Sequence, residues 1–335
     1  MKVGIIMANI QEVARKAGVS SATVSRVLNN TAPVSLTTRL KVEKAIKELN
    51  YEPSMLGRNL RNSESRLLLV LIPTFSNPYY IEIINGIEDY SLSNNYNILL
   101  CETDSNPERE NIFFNMVKNK LADGIISMDP TVNMKKLYEL AERHSIVLLS
   151  EYDEGGSIPY VTIDHEQAAY KAVNHLIKLG HNKIGFINSD EKFLYARKRR
   201  EGYERALKES NIPVDNEWIY HTEGVDFQDG AQAMRYFFKI KNTPTAVFAV
   251  SDTLAIGALK EINNKQLKVP EDIAVIGFDN ISFSNMTNPT LSTVAQPMYE
   301  MGKKAASMLI NRIKGNDVES VLMDYELIIR ESTMR

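Results

Sequence analysis

The sequence predicts a small all-α module followed by a larger α/β body made of two parallel-sheet subdomains. Three observations carry this expectation. Three short amphipathic patterns precede residue 54, the run "LLLVLIP" from Leu67 opens a strand and helix alternation, and that alternation starts afresh near Ala168.

In the module, Ile10, Val13, Ala14 and Ala17 recur at the three-four spacing of a helix with one buried face, and Gly18 offers a turn. Ser20 is placed to cap a second helix from Ser21, whose stripe is Val24, Val27 and Leu28. Pro33 and Ser35 mark a third start, and Leu36, Val42, Ala45, Ile46 and Leu49 give a helix that ends between Asn50 and Pro53. Packed crosswise, three such helices leave the second partly exposed.

The body begins with a strand at 67–72 and continues as helix 80–93, strand 97–101, helix 109–120, strand 124–128, helix 133–143 and strand 146–150. Its second round reads helix 168–179, strand 183–188, helices 199–210 and 227–238, strand 246–250, helix 254–263 and strand 273–278. "NPTLSTVAQP" interrupts the rhythm near a crossover, after which helix 301–314 and the strand-like "YELIIRES" finish the chain. Repeated β-α-β means parallel strands covered by helices. Such sheets bind ligands beyond their carboxyl ends, so polar residues there are cleft candidates: Asn77, Asp129, the 197–200 run, Ser251, Asp252 and Asp279.

Charge separates the parts. The first 66 residues hold 11 Lys/Arg against 5 Asp/Glu, a balance of +6, while the rest hold 28 against 37, a balance of −9. A basic end on an acidic body points to a polyanionic partner for the module. Helix two is short enough to enter a major groove. Ser21 and Ala22 would then lie near base edges, Thr23 and Ser25 would reach phosphates, Arg26 has paired donors for guanine, and Asn29 is counted with them as a DNA contact. An accessory three-helix domain with a solvated basic face is the plainer alternative. In "PSMLGRNLRNSESR", Leu56 and Leu60 are four apart beside Arg58 and Arg61, which suits a short helix that Gly57 keeps marginal alone; a simple linker is the alternative.

In the body, Arg199 and Asp279 have the chemistry to bind ligand hydroxyls, with Tyr79, Tyr80 or Phe227 as a flat apolar surface, although the same charges would also serve as internal salt bridges. Catalytic patterns are missing: there is no phosphate loop, no G-x-S-x-G and no H-E-x-x-H. His144, His165, His175, His181 and His221 are scattered without ligand spacing, and Cys101 is the single cysteine, so neither a metal site nor a disulfide is expected. No dinucleotide loop follows a strand, so no cofactor is expected. With 44% apolar and 24% charged residues, no long apolar run and no export signal, the reading is a globular cytoplasmic protein with no membrane partner.

"MANIQEVARKAGVSSATVSRVLNN" and "VSLTTRLKVEKAIKELNYEP" resemble the DNA-binding headpiece of the lactose-repressor family of bacterial transcription factors. The likeness runs on through "LVLIPTFSNPYY", "HLIKLGHNKIGFI", "PTAVFAVSDTLAIGALK", "VPEDIAVIGFDN" and "ELIIREST". It implies a helix-turn-helix headpiece over 7–53, a hinge over 54–66, and a body like a periplasmic binding protein. One subdomain of that body would take 67–163 with 294–323, the other 164–293 with 324–335. It also implies a homodimer on a pseudo-palindromic double-stranded operator, with Ser21, Ala22 and Arg26 reading bases and Leu60 wedged in the minor groove. Arg199 and Asp279 match the effector-contacting pair, Tyr79 and Tyr80 an aromatic pair, and Tyr195 a position that varies with ligand. Two residues depart from the pattern: Gly57 stands where alanine is usual, and Ser251 where many sugar responders have asparagine. "LGRNLRNSESR", "NPYYIEIINGIE" and "AQPMYEMG" resemble the cytidine-responsive branch that governs nucleoside uptake and catabolism, so the effector expected is a nucleoside or a sugar. The chain stops soon after "IRESTMR" without a Leu-rich extension, which favours a dimer over a tetramer, and Met7 fits the family's usual start. Two other classes fit less of the chain. A periplasmic-type sugar-binding protein would account for the body alone, and an α/β enzyme would need a nucleophile and base that the sequence does not display.

Overall fold

Asn9 opens the first helix through a reciprocal cap: its side chain accepts the Gln11 and Glu12 N–H groups, and Glu12 accepts the N–H of Asn9 at 2.8 Å. The computed structural model describes residues 8–29, 32–51, 64–128 and 134–334, which divide into one unit ending at Glu64 and another beginning at Ser65. In the first unit, α1 (Ile10–Ala17) stops at Gly18, whose φ of +66° suits a residue without Cβ. Ser20 Oγ then accepts the Thr23 N–H at 3.2 Å and starts α2 (Ser21–Asn29), and Ser35 does the same for α3 (Leu36–Glu48) through Thr38. Val13, Ala14, Ala17, Val24, Val27, Val42 and Ala45 close the core. Leu36 departs from expectation. It is 72% exposed because the first residue of α3 projects beyond the contact with α1 and α2.

The second unit holds two six-stranded sheets. The first, ordered β11-β5-β4-β3-β1-β2, comprises β1 (Leu67–Ile72), β2 (Asn97–Glu102), β3 (Gly124–Ser127), β4 (Ser145–Leu149), β5 (Tyr160–Ile163) and β11 (Val321–Met323), all parallel. The second, ordered β12-β10-β9-β8-β6-β7, comprises β6 (Ile184–Asn188), β7 (Ile219–His221), β8 (Ala246–Ala249), β9 (Ala274–Asp279), β10 (Ser292–Ala295) and β12 (Glu326–Ile328), with only the β10–β12 pair antiparallel. Leu68 to Ile72 and the whole of β8 are buried, as strands covered on both faces must be. The helices are α4 (Tyr79–Ser93), α5 (Pro107–Lys118), α6 (Met134–Ala141), α7 (His165–Lys178), α8 (Leu194–Glu209), α9 (Phe227–Phe237), α10 (Asp252–Asn264) and α11 (Met298–Ile313).

The chain passes between sheets after Ile163, Ala295 and Met323. A division at 294 therefore cuts strand β10, whose Thr293, Val294 and Ala295 all pair with β12; the crossover begins one strand end later. α11 returns to cover the first sheet and packs on α4 through glycines, since a Cβ on Gly86 would lie 2.0 Å from the Tyr299 carbonyl and one on Gly302 2.1 Å from that of Ile83. The hinge residues Leu56, Gly57, Arg58, Leu60 and Arg61, like Met7, Asp129 and Asn133, lie outside the described residues. No helix among the described residues is long and apolar enough to cross a membrane.

Candidate functional site

In the helical module, the small and basic residues of α2 divide by face. Ala22 and Arg26, one turn apart, are exposed, and Ser21 and Thr23 are half-buried beside them. Thr23 Oγ1 lies 2.9 Å from Ser20 Oγ and so belongs to the cap as well as to the surface. Ser25, one turn after Ser21, is 7% exposed. Asn29 is the last residue of α2. Lys16 is paired with Glu48 at 2.9 Å, which holds α1 to α3.

In the body, a cleft of about 690 Å³ opens beyond the carboxyl ends of the strands, where such sheets place their ligands. Tyr79, Tyr80, Tyr195, Arg199, Phe227, Ser251 and Asp279 all line it. Arg199 is brought there by α8, which starts five residues earlier than its sequence pattern showed, so that the side chain rises from the second turn of the helix and not from its first residue. Its guanidinium is 4% exposed. Nη1 lies 3.7 Å from the Asp279 carboxylate and donates to the Val250 carbonyl, while the plane rests 3.5 Å from the Phe278 ring centre and 5.0 Å from that of Tyr195. The expected ligand pair and the expected internal salt bridge are thus the same two residues.

His165 completes the arginine's surroundings. Its Nδ1 lies 3.4 Å from Arg199 Nε, which donates to it, and Nε2 lies 3.2 Å from Thr162 Oγ1, which itself donates to the Ser150 carbonyl. Burial and the neighbouring guanidinium drive the His165 pKa well below its ordinary value, so the ring is neutral with its proton on Nε2. Tyr79 and Ser150 share a hydrogen bond of 2.5 Å between hydroxyls, and Tyr79 meets Tyr80 edge to face.

Two carboxyls stand out. Burial raises Asp279 to about 7, against the pull of Arg199 and a 2.8 Å bond from Gln296 Nε2. Burial raises Glu151 to about 7 as well. Glu151 follows β4 of the first sheet yet accepts the backbone N–H groups of Leu194 and Tyr195, at 2.8 and 2.9 Å, and so caps a helix of the second lobe whose own N-cap, Phe193, supplies no acceptor. Backbone conformation is strained at the same places: φ is +69° at Ser150 and +117° at Asp279.

Glu151, His165 and Phe193 were not picked out in the sequence. Glu151 had a usable signal, since it sits at a strand's carboxyl end like the candidates that were chosen. Phe193, stacked 5.7 Å from Tyr195, had none. Ser251 lines the cleft but spends its hydroxyl on the Leu254 N–H, and Asp252 is wholly buried, holding Thr293 and the Ile281 N–H. No cluster of described residues has the composition to hold a metal ion.

A basic three-helix module with an exposed second helix, carried with a two-lobed α/β body whose cleft presents buried polar groups, defines a DNA-binding regulator with a small-molecule domain. Profiles agree for both parts: "Bacterial regulatory proteins, lacI family" matches residues 9–54 and "Periplasmic binding protein-like domain" residues 173–333. The chain belongs to the LacI family of bacterial transcriptional regulators. The repressor CytR of Escherichia coli K12 is 39% identical over 97% of this chain and 96% of its own. The lac repressor dimer bound to operator and the anti-inducer ONPF superposes with a TM-score of 0.88 at 25% identity, covering 98% of this chain and 99% of the other. The regulator CelR in complex with cellobiose gives a TM-score of 0.73 at 27% identity over 97% and 99%.

Proposed function

We propose that this repressor binds a pseudo-palindromic operator as a homodimer and that a nucleoside or a sugar in the body's cleft sets its hold on DNA. Ser21, Ala22, Thr23, Arg26 and Asn29 would face the major groove, with Arg58 and Leu60 of the connecting segment at the minor groove. Exposure of Ala22 and Arg26 on one face of α2 supports the reading role, and Ser25, expected at a phosphate, is the least exposed described member of the set. Tyr79, Tyr80, Tyr195, Phe227 and Ser251 would frame the effector, and Arg199 and Asp279 would bind its hydroxyls.

The observation that carries this reading is the Arg199–Asp279 pair, buried among aromatic rings at the strand ends of a body joined to a basic helical module. An effector that distinguishes two arrangements of the body changes operator affinity, and operator must change effector affinity by the same factor. Fluorescence anisotropy of a labelled operator duplex at fixed salt, with and without cytidine, adenosine and a set of mono- and disaccharides, tests it. One ligand should shift the operator curve, and Arg199→Ala or Asp279→Ala should abolish that shift while leaving operator binding intact. A ligand effect that survives both substitutions would overturn the cleft assignment, and a monomer in sedimentation at micromolar concentration would overturn the dimer.

A further inference from the structure

Parallel α/β lobes aim helix N-termini at the ligand, and a helix N-terminus with free N–H groups is a ready anion site. Five helices start on the wall of this cleft, and the chain's own acceptors bond to the first turn of each, Asp164 accepting from Gln167 at α7. Asn77 Oδ1 accepts the Tyr79 N–H at 3.0 Å ahead of α4, and Glu151 accepts from Leu194 and Tyr195 at α8. Asp226 accepts from Gln228 and Asp229 at α9, with Asp229 returning the bond to the Asp226 N–H at 3.0 Å, and Ser251 accepts from Leu254 at α10. Three of these five starts meet carboxyl side chains.

The cations are spent too. Arg199 is held by Asp279, the Val250 carbonyl and two rings, and Lys192 by Asp190 at 3.2 Å and the Phe193 ring. Among the described residues that line the cleft there are seven carboxyl side chains against these two cations, so the ligand space carries a surplus of negative charge. Glu223, Asp226 and Asp229 supply it in one stretch at the rim, and no salt bridge among the described residues offsets them.

We infer that the cleft admits an uncharged or cationic effector and rejects phosphorylated ones, with Glu151, Glu223, Asp226 and Asp229 setting the preference. This rests on the effector reading above and narrows it to free nucleosides, free sugars or amine-bearing analogues. Hydroxyls still find partners, because Asp279 and Arg199 offer an acceptor and donors that together carry little net charge. A phosphate finds helix ends that already face the chain's own acceptors and cations already neutralised by Asp279 and Asp190, and it adds a dianion to a negative wall.

Calorimetry of the full chain against matched pairs tests this: cytidine and cytidine monophosphate, adenosine and adenosine monophosphate, glucose and glucose 6-phosphate. In every pair whose neutral member binds, the phosphorylated member should bind at least about tenfold more weakly at low salt, and the gap should narrow at high salt as the field is screened. Glu223→Gln, which removes one exposed rim charge, should shrink the gap by about twofold. A phosphorylated member that binds as tightly as its neutral partner, or more tightly, overturns the inference while leaving the effector reading in place. Silence from all three pairs, in a protein that still binds DNA, overturns the effector reading and the inference with it.

Discussion

Glutamine at position 151 removes a charge without shortening the side chain, and its effect should reverse sign with pH. Glu151 turns one oxygen to each of two N–H groups of α8, at 2.8 and 2.9 Å, and keeps two acceptor oxygens in its neutral form as well. The amide of the variant has one oxygen for both, a loss of about 1 to 2 kcal/mol. Against this stands the cost of burying the charge, which moves the carboxyl from 4.5 to about 7. Below 4.5 the folded and unfolded chains both hold the proton. Between 4.5 and 7 the unfolded chain has released it and the folded chain has not, so wild-type stability falls as pH rises, by about 3 kcal/mol across that window. The variant has nothing to titrate there. Arg197, Arg199 and Asp279 face the site in both proteins, and Asp279, itself at about 7, titrates in both. Urea unfolding followed by Trp218, the single tryptophan, buried beside β7 in the second lobe, gives the measurement. Near pH 5 the variant should be less stable by about 1 kcal/mol, and at pH 8 more stable by a similar amount. Parallel stability profiles for the two proteins between pH 5 and 8 would refute the reasoning, because the buried charge would then cost nothing.

Arg26→Ala should weaken binding to the cognate operator by about 1 to 3 kcal/mol and random DNA by less, as anisotropy titrations at one salt concentration will read. Gly86→Ala should destabilise the body by at least about 2 kcal/mol in urea unfolding, because the new Cβ would meet the Tyr299 carbonyl at 2.0 Å and separate α4 from α11. Tyr203→Phe, which deprives the Ile184 carbonyl of a buried donor at 2.8 Å, should cost about 1 kcal/mol by the same measurement. Asn9→Ala should lower the thermal midpoint of the helical module by removing a reciprocal cap, a loss of about 1 kcal/mol, while the midpoint of the body stays put.

Long, strongly patterned segments were legible in the sequence and short or distant ones were not. "LLLVLI" declared β1 to the residue, because six apolar residues between turn signals leave one reading. Strands β5, β7, β10 and β11 passed unseen: at three or four residues each they are too short for a period to show, and their pairing is fixed by neighbours far along the chain. Some capped helix starts were placed late, as with Asp164 before α7 and Ser251 before α10, whereas Ser20, Ser35 and Asp226 precede starts that were placed to the residue. In the cleft, residues whose chemistry is conspicuous, such as Arg199 and Asp279, were found from strand-end position and charge. Glu151 was missed because its meaning lies in two N–H groups more than forty residues downstream.

The late return of the chain to its first sheet sets an order for synthesis at the ribosome. The three helices of the module have emerged once residue 51 has, and among the described residues its core ends at Tyr51. Strands β1 to β4 follow soon after, yet the helix that covers one face of their sheet ends at Ile313 and the strand that closes its edge at Met323. From the end of β4 at Leu149 until Ile313 emerges the first lobe therefore lacks part of the cover of its strands, a partly built state prone to misassembly. The second lobe is encoded almost without interruption from His165 to Ala295 and lacks only β12 when it emerges. It can take shape first and present a folded wall against which the earlier strands settle, so that the nascent chain holds a finished DNA-facing module well before it holds a finished sensor.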